Sequence, residues 1–365
     1  MHRLMAGGTI LEHELSELRL LVERQTGVLL DCPNSALAAH VAEYLESHEL
    51  DSAAALLDRL RAADQDPSFL PAFLDGVLNV NTGFYRHPGA MNALARQVIP
   101  QIYARKSEDG PCTLRIWSAG CGTGEEAYSI AMALCDNPSN GNGASGSGNG
   151  GKDGKEKDAK HTASRNGGVE CSAAVAAVTG TRDWSVHIVG SDLLPSAIET
   201  AERGLYPQSA LTGLPPATIR ACFSKINVNG VPALAQEMNA AGGGSGCTPA
   251  GGSSNGSVGG STVSAHLLVK PRLRSLVTFN TMNLTKPVYI GRFDCIFCMD
   301  VLPHLSRAQR VALMERLHLY LEPGGYLFLS QTEKLCAPNL NFRSETFDGY
   351  TFHRKPLAAS AAYGR

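Results

Sequence analysis

Arg115-Ile-Trp-Ser-Ala-Gly-Cys-Gly-Thr-Gly-Glu-Glu126 joins a short apolar run to three alternating glycines and then to two acids. The run ending at Trp117 predicts a buried strand. Gly120, Gly122 and Gly124 predict a tight turn, because glycine tolerates φ above zero and lets backbone atoms touch a ligand that a Cβ would exclude. Residues 125–134 predict a helix that opens at the turn. Strand, glycine turn and helix in this order are how open α/β sheets hold nucleotide-like ligands.

A G-x-G pattern alone also fits an ordinary tight turn or a nicotinamide site. A dinucleotide fingerprint spaces its glycines as G-x-G-x-x-G to seat a pyrophosphate on the helix N-terminus. Here the spacing is G-x-G-x-G, and Glu125 and Glu126 follow it. Two carboxylates at that helix start would repel a pyrophosphate. They suit a ligand carrying hydroxyls, an amine and a sulfonium, which favours S-adenosylmethionine.

The chain has 365 residues, enough for about two domains with a large core. Its formal net charge of −2 offers no basic footprint for nucleic acid and no polybasic patch for anionic lipid. No window approaches eighteen consecutive apolar residues. The start is broken by Glu12, Glu14 and Glu17, so neither membrane insertion nor a signal peptide is expected, and a cytoplasmic protein is. Ten scattered cysteines read as small buried hydrophobes in a reducing compartment. Cys295 and Cys298 have C-x-x-C spacing, but residues three apart on a strand point to opposite faces, so no metal site is expected.

Residues 1–78 predict an all-helical domain. Leu11, Leu15, Leu18 and Val22 form one stripe, which ends at Gly27. Leu37, Val41 and Leu45 form a second, and Leu56, Leu57 and Leu60 a third behind an Asp51 cap. Leu70, Phe73, Leu74 and Val77 form the last, after Pro67. From Cys112 onward short apolar strands alternate with helices, which predicts a parallel sheet covered on both faces. The expected strands are 114–117, 186–190, 277–280, 295–298 and 326–329. Between the last two, Ser306 and Gln309 predict a capping box, Val311, Met314, Leu317 and Leu321 a core face, and Pro323-Gly324-Gly325 a stop. Two Gly/Ser-rich stretches, about 137–170 and 230–262, are too poor in apolar residues to offset the entropy of ordering and read as disordered insertions.

Asp192 follows the strand 186–190, where an acid at the end of a second strand would meet ribose hydroxyls. It stands far beyond the roughly 20 residues expected after the glycine turn, and the first insertion accounts for the excess. An acid there also fits a helix cap before Ile198.

Taken together, these blocks resemble the chemotaxis-receptor glutamate methyltransferase family, CheR. Further blocks carry the resemblance: Asn81-Thr-Gly-Phe-Tyr-Arg86, Ala201-Glu-Arg-Gly-Leu-Tyr206, Met282-Asn-Leu284 and Gly324-Gly-Tyr-Leu-Phe328. The resemblance implies an α/β fold of class I methyltransferase type, with a Rossmann-like sheet, the helical N-terminal domain, a methyltransferase domain over 79–356 and a small antiparallel β-subdomain near 205–275. Strands of that subdomain are expected near 222–228 and 267–269. It further implies that S-adenosylmethionine is held by Asn81, Thr82, Arg86, Gly120, Gly122, Gly124, Glu126, Asp192, Asn283, Leu284, Met299 and Asp300. Arg86 would also face the reacting carboxylate of a methyl-accepting chemoreceptor or similar signalling protein.

The chain departs from the family after the fourth sheet strand. Met299-Asp-Val-Leu-Pro-His-Leu305 stands where R-N-V-x-I-Y-F is usual, so His304 replaces an active-site tyrosine, Met299 an arginine and Asp300 an asparagine. His304 is either a catalytic hydrogen-bond donor or a residue that merely lines the loop. The departures leave two alternatives open: a methyltransferase with another acceptor, and a cofactor-binding regulatory module without turnover.

Overall fold

The computed structural model describes residues 10–62, 68–78, 82–109, 112–135, 184–226, 266–288, 290–337 and 339–357. Both Gly/Ser-rich insertions and Asn81 lie outside them. Four helices come first: α1 (Glu12–Thr26), α2 (Asn34–Ser47), α3 (Ala53–Arg61) and α4 (Phe69–Val77). Their apolar stripes meet in one core that contains Leu15, Leu18, Val22, Leu37, Val41, Leu56, Leu57, Leu60, Phe73 and Leu74.

Two expectations fail at helix starts. Leu11 is half exposed rather than part of the stripe, because it stands one residue before α1, where its N–H donates to the Glu14 carboxylate at 2.9 Å. The cap of α3 is Ser52 rather than Asp51, since it is Ser52 whose hydroxyl accepts the Ala55 N–H.

The chain continues through α5 (Pro88–Ala93), a π-helical turn (Leu94–Val98) and α6 (Ile99–Asp109) into β1 (Thr113–Ala119), α7 (Glu125–Cys135) and β2 (Ser185–Asp192). Then come α8 (Pro195–Arg203), β3 (Leu205–Pro207), α9 (Pro216–Cys222), β4 (Phe223–Lys225), β5 (His266–Val269) and α10 (Pro271–Arg274). The last elements are β6 (Val277–Thr281), β7 (Phe293–Phe297), α11 (Arg307–Tyr320), β8 (Leu321–Phe328), β9 (Arg343–Phe347) and β10 (Tyr350–Arg354).

Seven strands form one sheet in the order β6-β2-β1-β7-β8-β10-β9, in which the first five are parallel and β10 runs antiparallel to both neighbours. This is the expected class I methyltransferase-like sheet. Between β2 and β6 the chain builds the small antiparallel sheet β3-β5-β4. Its strand 205–207 was not expected from sequence, because three residues are too few to show a period of two. The helical region packs onto the helix after β2: Leu194 and Ala197 share its core, and Ser196 donates to Asp75 at 2.6 Å.

One boundary is corrected. The helix α11 is capped by Ser306 as expected, but it ends at Tyr320, and Leu321 opens a strand instead of closing the helix face. Pro323-Gly324-Gly325 therefore lies inside β8, where the register with β7 slips between Phe293 and Cys295. Cys295 and Cys298 pack in separate cores, fully buried, and burial pushes both thiols up. Among the described residues, no helix is long and apolar enough to cross a membrane.

The start of β1 is tied to β7 by a buried acid. Asp294 is 1% exposed, accepts the Arg115 N–H at 3.0 Å and takes a hydrogen bond from Lys106 Nζ on α6 at 2.8 Å. Removing Lys106 would leave this buried charge with Arg105, whose Nη2 lies 3.9 Å from Asp294 Oδ1, as its nearest cation, and breaking a buried pair in this way costs several kcal/mol. Lys106→Met is expected to lower unfolding free energy by about 3–5 kcal/mol in urea titrations, while Lys106→Met with Asp294→Leu recovers much of the loss.

Candidate functional site

Strand order reverses across β1 and β7, and the loops that leave their carboxyl ends border one cleft, where ligands of open α/β sheets bind. The glycine turn forms its floor. Gly120, Gly122 and Gly124 adopt φ of 81°, 55° and 95°, the left-handed region expected of them. The turn is fastened to β2 at three points: Gly120 and Cys121 N–H groups donate to the Ser191 carbonyl at 2.8 and 2.9 Å, and the Gly122 N–H donates to Asp192 Oδ2 at 2.9 Å.

Gly120 and Gly122 line the cleft, but Gly124 does not. A Cβ at Gly124 would lie 2.7 Å from Ala201 Cβ and 3.1 Å from the Tyr206 hydroxyl, so this glycine permits contact with α8 and the β-subdomain rather than with a ligand. Tyr206 completes that contact by donating to the Thr123 carbonyl at 2.6 Å.

Asp192 stands in the cleft wall and already uses both oxygens, one on Gly122 and the other on the Leu194 N–H at 3.0 Å. The residue flanking α8 as its cap is Leu194, not Asp192. Burial raises the Asp192 pKa against the lowering effect of these backbone donors.

Glu126 begins α7 and enters the cleft beside the turn. The Ser118 hydroxyl donates to its Oε1 at 2.6 Å. Burial pushes its pKa from 4.5 to about 7; Ser118 opposes the rise, Asp300 and Glu333 add to it, and Arg86 opposes it. Its neighbour Glu125 is buried outside the cleft lining and takes the Thr123 hydroxyl at 2.7 Å; burial raises it as well.

The segment 82–87 lies across the start of α7, held by the Tyr85 N–H on Ser129 Oγ at 2.9 Å, while Ser129 donates to the Glu125 carbonyl. It brings Thr82 and Arg86 to the cleft as expected, and His87 with them. Arg86 Nε lies 3.1 Å from Asp300 Oδ2. His87 Nε2 reaches the same oxygen at 2.9 Å.

Asn283, Leu284, Met299, Asp300 and His304 also reach the cleft. The Asn283 side chain is engaged in its own turn, where Oδ1 accepts the Thr285 N–H and hydroxyl at 2.9 and 2.8 Å. His304 is exposed at the cleft mouth, and what anchors it is backbone: its carbonyl accepts the Leu29 N–H at 2.8 Å.

Sequence reasoning missed Glu333 and Val28. Asp192 is the last residue of β2 and Glu333 stands shortly after the end of β8, so an acid at or just past a strand end was the available signal. It accepts N–H groups from Asp300, Leu302 and Ser330 at 3.1, 2.9 and 2.9 Å and thereby ties the loop after β7 to the loop after β8. Val28 enters the cleft wall from the helical region through a bridge with Leu305, a long-range contact without local signature.

The lining fits S-adenosylmethionine by its chemistry. Glu126, Asp192 and Asp300 offer acceptors for hydroxyls and an amine and a negative field for a sulfonium, while apolar Met91, Leu193, Met282 and Leu284 offer surface for a ring. Among the described residues, no group of His, Cys, Asp and Glu is arranged to hold a metal ion.

The family profile described as "CheR methyltransferase, SAM binding domain" matches residues 80–145 and 259–350. Similar curated proteins include chemotaxis protein methyltransferase 1 of Pseudomonas aeruginosa, 24% identical over 341 residues, covering 90% of this chain and 96% of that protein. The chemotaxis protein methyltransferase of Vibrio parahaemolyticus is 24% identical over 338 residues, covering 91% and 93%. Among solved structures, magnesium protoporphyrin IX methyltransferase from Synechocystis PCC 6803 aligns at 12% identity over 81% of this chain and 93% of that one, with a TM-score of 0.27.

The raised Glu126 carboxyl gives a pH signature. A carboxyl that holds its proton more tightly when folded makes the folded state bind more protons than the unfolded one between the two pKa values, so stability falls as pH rises through that window. Ligand-free protein is expected to lose stability from about pH 4.5 to about pH 7 on account of this group. Glu126→Gln should flatten that slope and be the more stable form at pH 8; an unchanged slope in urea titrations would contradict it.

Proposed function

We infer that this chain is an S-adenosylmethionine-dependent member of the CheR methyltransferase family that forms methyl esters on glutamate side chains of a methyl-accepting chemoreceptor or a related signalling protein. The observation that carries the reading is Arg86, a cation presented at a cleft whose other charged side chains are mainly acids. An acceptor carboxylate has that guanidinium to bind. The reading places the protein in the cytoplasm, where the receptor's methyl-accepting segment would be reached.

When bound, S-adenosylmethionine supplies an electrophilic methyl on a sulfonium. Thr82, Glu126 and Asp192 are the residues we assign to its polar groups, Asn283 and Leu284 to its adenine side, and Gly120 and Gly122 to close backbone contact. Met299 and Asp300 complete that wall. Asn81 is assigned by the resemblance alone.

The acceptor carboxylate has an ordinary pKa of about 4.3 and is ionised near neutral pH, so no general base is required. What the chain must supply is alignment in a site that excludes water, which can remove several kcal/mol from a barrier. Arg86 would orient the acceptor oxygen. His304, at the mouth, would donate a hydrogen bond where the family has a tyrosine hydroxyl.

A second reading, transfer to another acceptor, is favoured by the run Met299 to His304, whose residues change the charge and shape of the acceptor side. The test is incubation with methyl-labelled S-adenosylmethionine and membranes of the cell that makes the protein. Base-labile label on a receptor-sized band is expected. Label on other species favours the second reading, and tight cofactor binding without label favours a regulatory module. Arg86→Ala is expected to lower turnover about a hundredfold or more while changing cofactor affinity far less, as calorimetry would show.

A further inference from the structure

The loop after β7 holds a carboxylate where an acceptor carboxylate would be bound. Asp300 has φ of 58°, a left-handed backbone that is uncommon for non-glycine residues, though aspartate accepts it, and that gains from local fixing. Glu333 supplies that fixing: it takes the N–H of Asp300 and of Leu302 from one loop and that of Ser330 from the other. The Asp300 side chain is thereby aimed across the cleft. There its Oδ2 meets Arg86 Nε and His87 Nε2 together. Arg86 and Asp300 keep about one third of their side-chain surface open, 36% and 34%, so the pair faces the cleft rather than being sealed beneath it.

We propose that Asp300 is a resident carboxylate on Arg86, a specificity-determining residue with which every incoming acceptor carboxylate must compete. The proposal rests on the reading of Arg86 as the acceptor-binding cation. Two carboxylates on one guanidinium repel at a separation of a few ångströms, and near a protein surface that repulsion is substantial. A free carboxylic acid from solution therefore gains little by entering. An acceptor delivered by a docked protein arrives at high effective concentration and can overcome the same penalty. Asp300 thus turns a general anion site into one that rewards tethered substrates. The asparagine usual at this position in the family carries no charge to compete.

Asparagine is also the informative substitution, because it tolerates the left-handed backbone and keeps one acceptor oxygen for His87. Glutarate, a dicarboxylate with the side-chain length of glutamate, serves as the anion and is titrated calorimetrically into protein saturated with S-adenosylhomocysteine. Asp300→Asn is expected to bind glutarate at least about fivefold more tightly than the wild type, and Arg86→Ala with Asp300→Asn should lose that gain. Equal or weaker binding by Asp300→Asn, no measurable binding by it, or a gain that survives without Arg86 overturns the proposal.

Receptor methylation, measured on the same preparations, separates this inference from the acceptor assignment. The glutarate pattern without ester on any receptor supports the competition and sinks the assignment. Ester formation without the glutarate gain sinks the competition alone.

Discussion

The site depends on three backbone N–H groups of the glycine turn that find acceptors on β2. Two go to the Ser191 carbonyl and one to the Asp192 carboxylate. A turn with three left-handed glycines at alternate positions costs chain entropy to hold, and buried N–H groups left unpaired would add to that cost. Satisfying them from the adjacent strand fixes the turn and the direction in which α7 leaves it. Glu126 is placed by that direction. Trp117 reinforces the junction from behind, since its indole N–H donates to the Ser191 hydroxyl at 2.9 Å.

The placement of Glu126 has an electrostatic consequence. Its carboxyl lies in a wall with Asp300 and Glu333 as charged neighbours and with Arg86 opposite, and burial holds its proton up to near neutrality. Such a group is an unfavourable occupant of an empty cleft above neutral pH. A ligand that brings hydroxyl or ammonium donors compensates it, so the cost in the free protein becomes selectivity in the complex. Asp192 differs, because two backbone donors already satisfy it, and its first duty is to hold the turn.

The sheet and the cleft were readable from sequence wherever a local pattern encodes them. The strand before Gly120 and the acid at the end of β2 follow from apolar runs, and the turn between them from what positive φ demands. What escaped was set by distance in sequence or by short length. The three-residue strand 205–207 shows no period, and the slip of register inside β8 gave Leu321 to a strand although its spacing matched the preceding helix. Gly124 looks identical to its partners in the motif, yet its space is filled by Ala201 and Tyr206, which no local pattern reveals. Glu333 was within reach of the same rule that identified Asp192. The meeting of Arg86, His87 and Asp300 was not, because more than 200 residues separate the partners in the chain.

The helical region bears on the chemistry through its exit from α1. Gly27 turns the chain with φ of 76°, and a Cβ there would sit 2.5 Å from Thr285, so only glycine allows this close approach. Thr285 in turn donates to the Thr26 carbonyl at 2.7 Å while it braces Asn283. Directly after Gly27, Val28 bridges Leu305, and the Leu29 N–H donates to the His304 carbonyl. The loop 299–305, whose sequence departs from the pattern of the family it resembles, is therefore clamped on both sides, by Glu333 near its start and by the helical region near its end. A loop fixed in this way can exchange tyrosine for histidine, or asparagine for aspartate, without losing its path, because its course is set by backbone bonds rather than by those side chains. Variation in charge at the acceptor side is thereby separated from the integrity of the cleft.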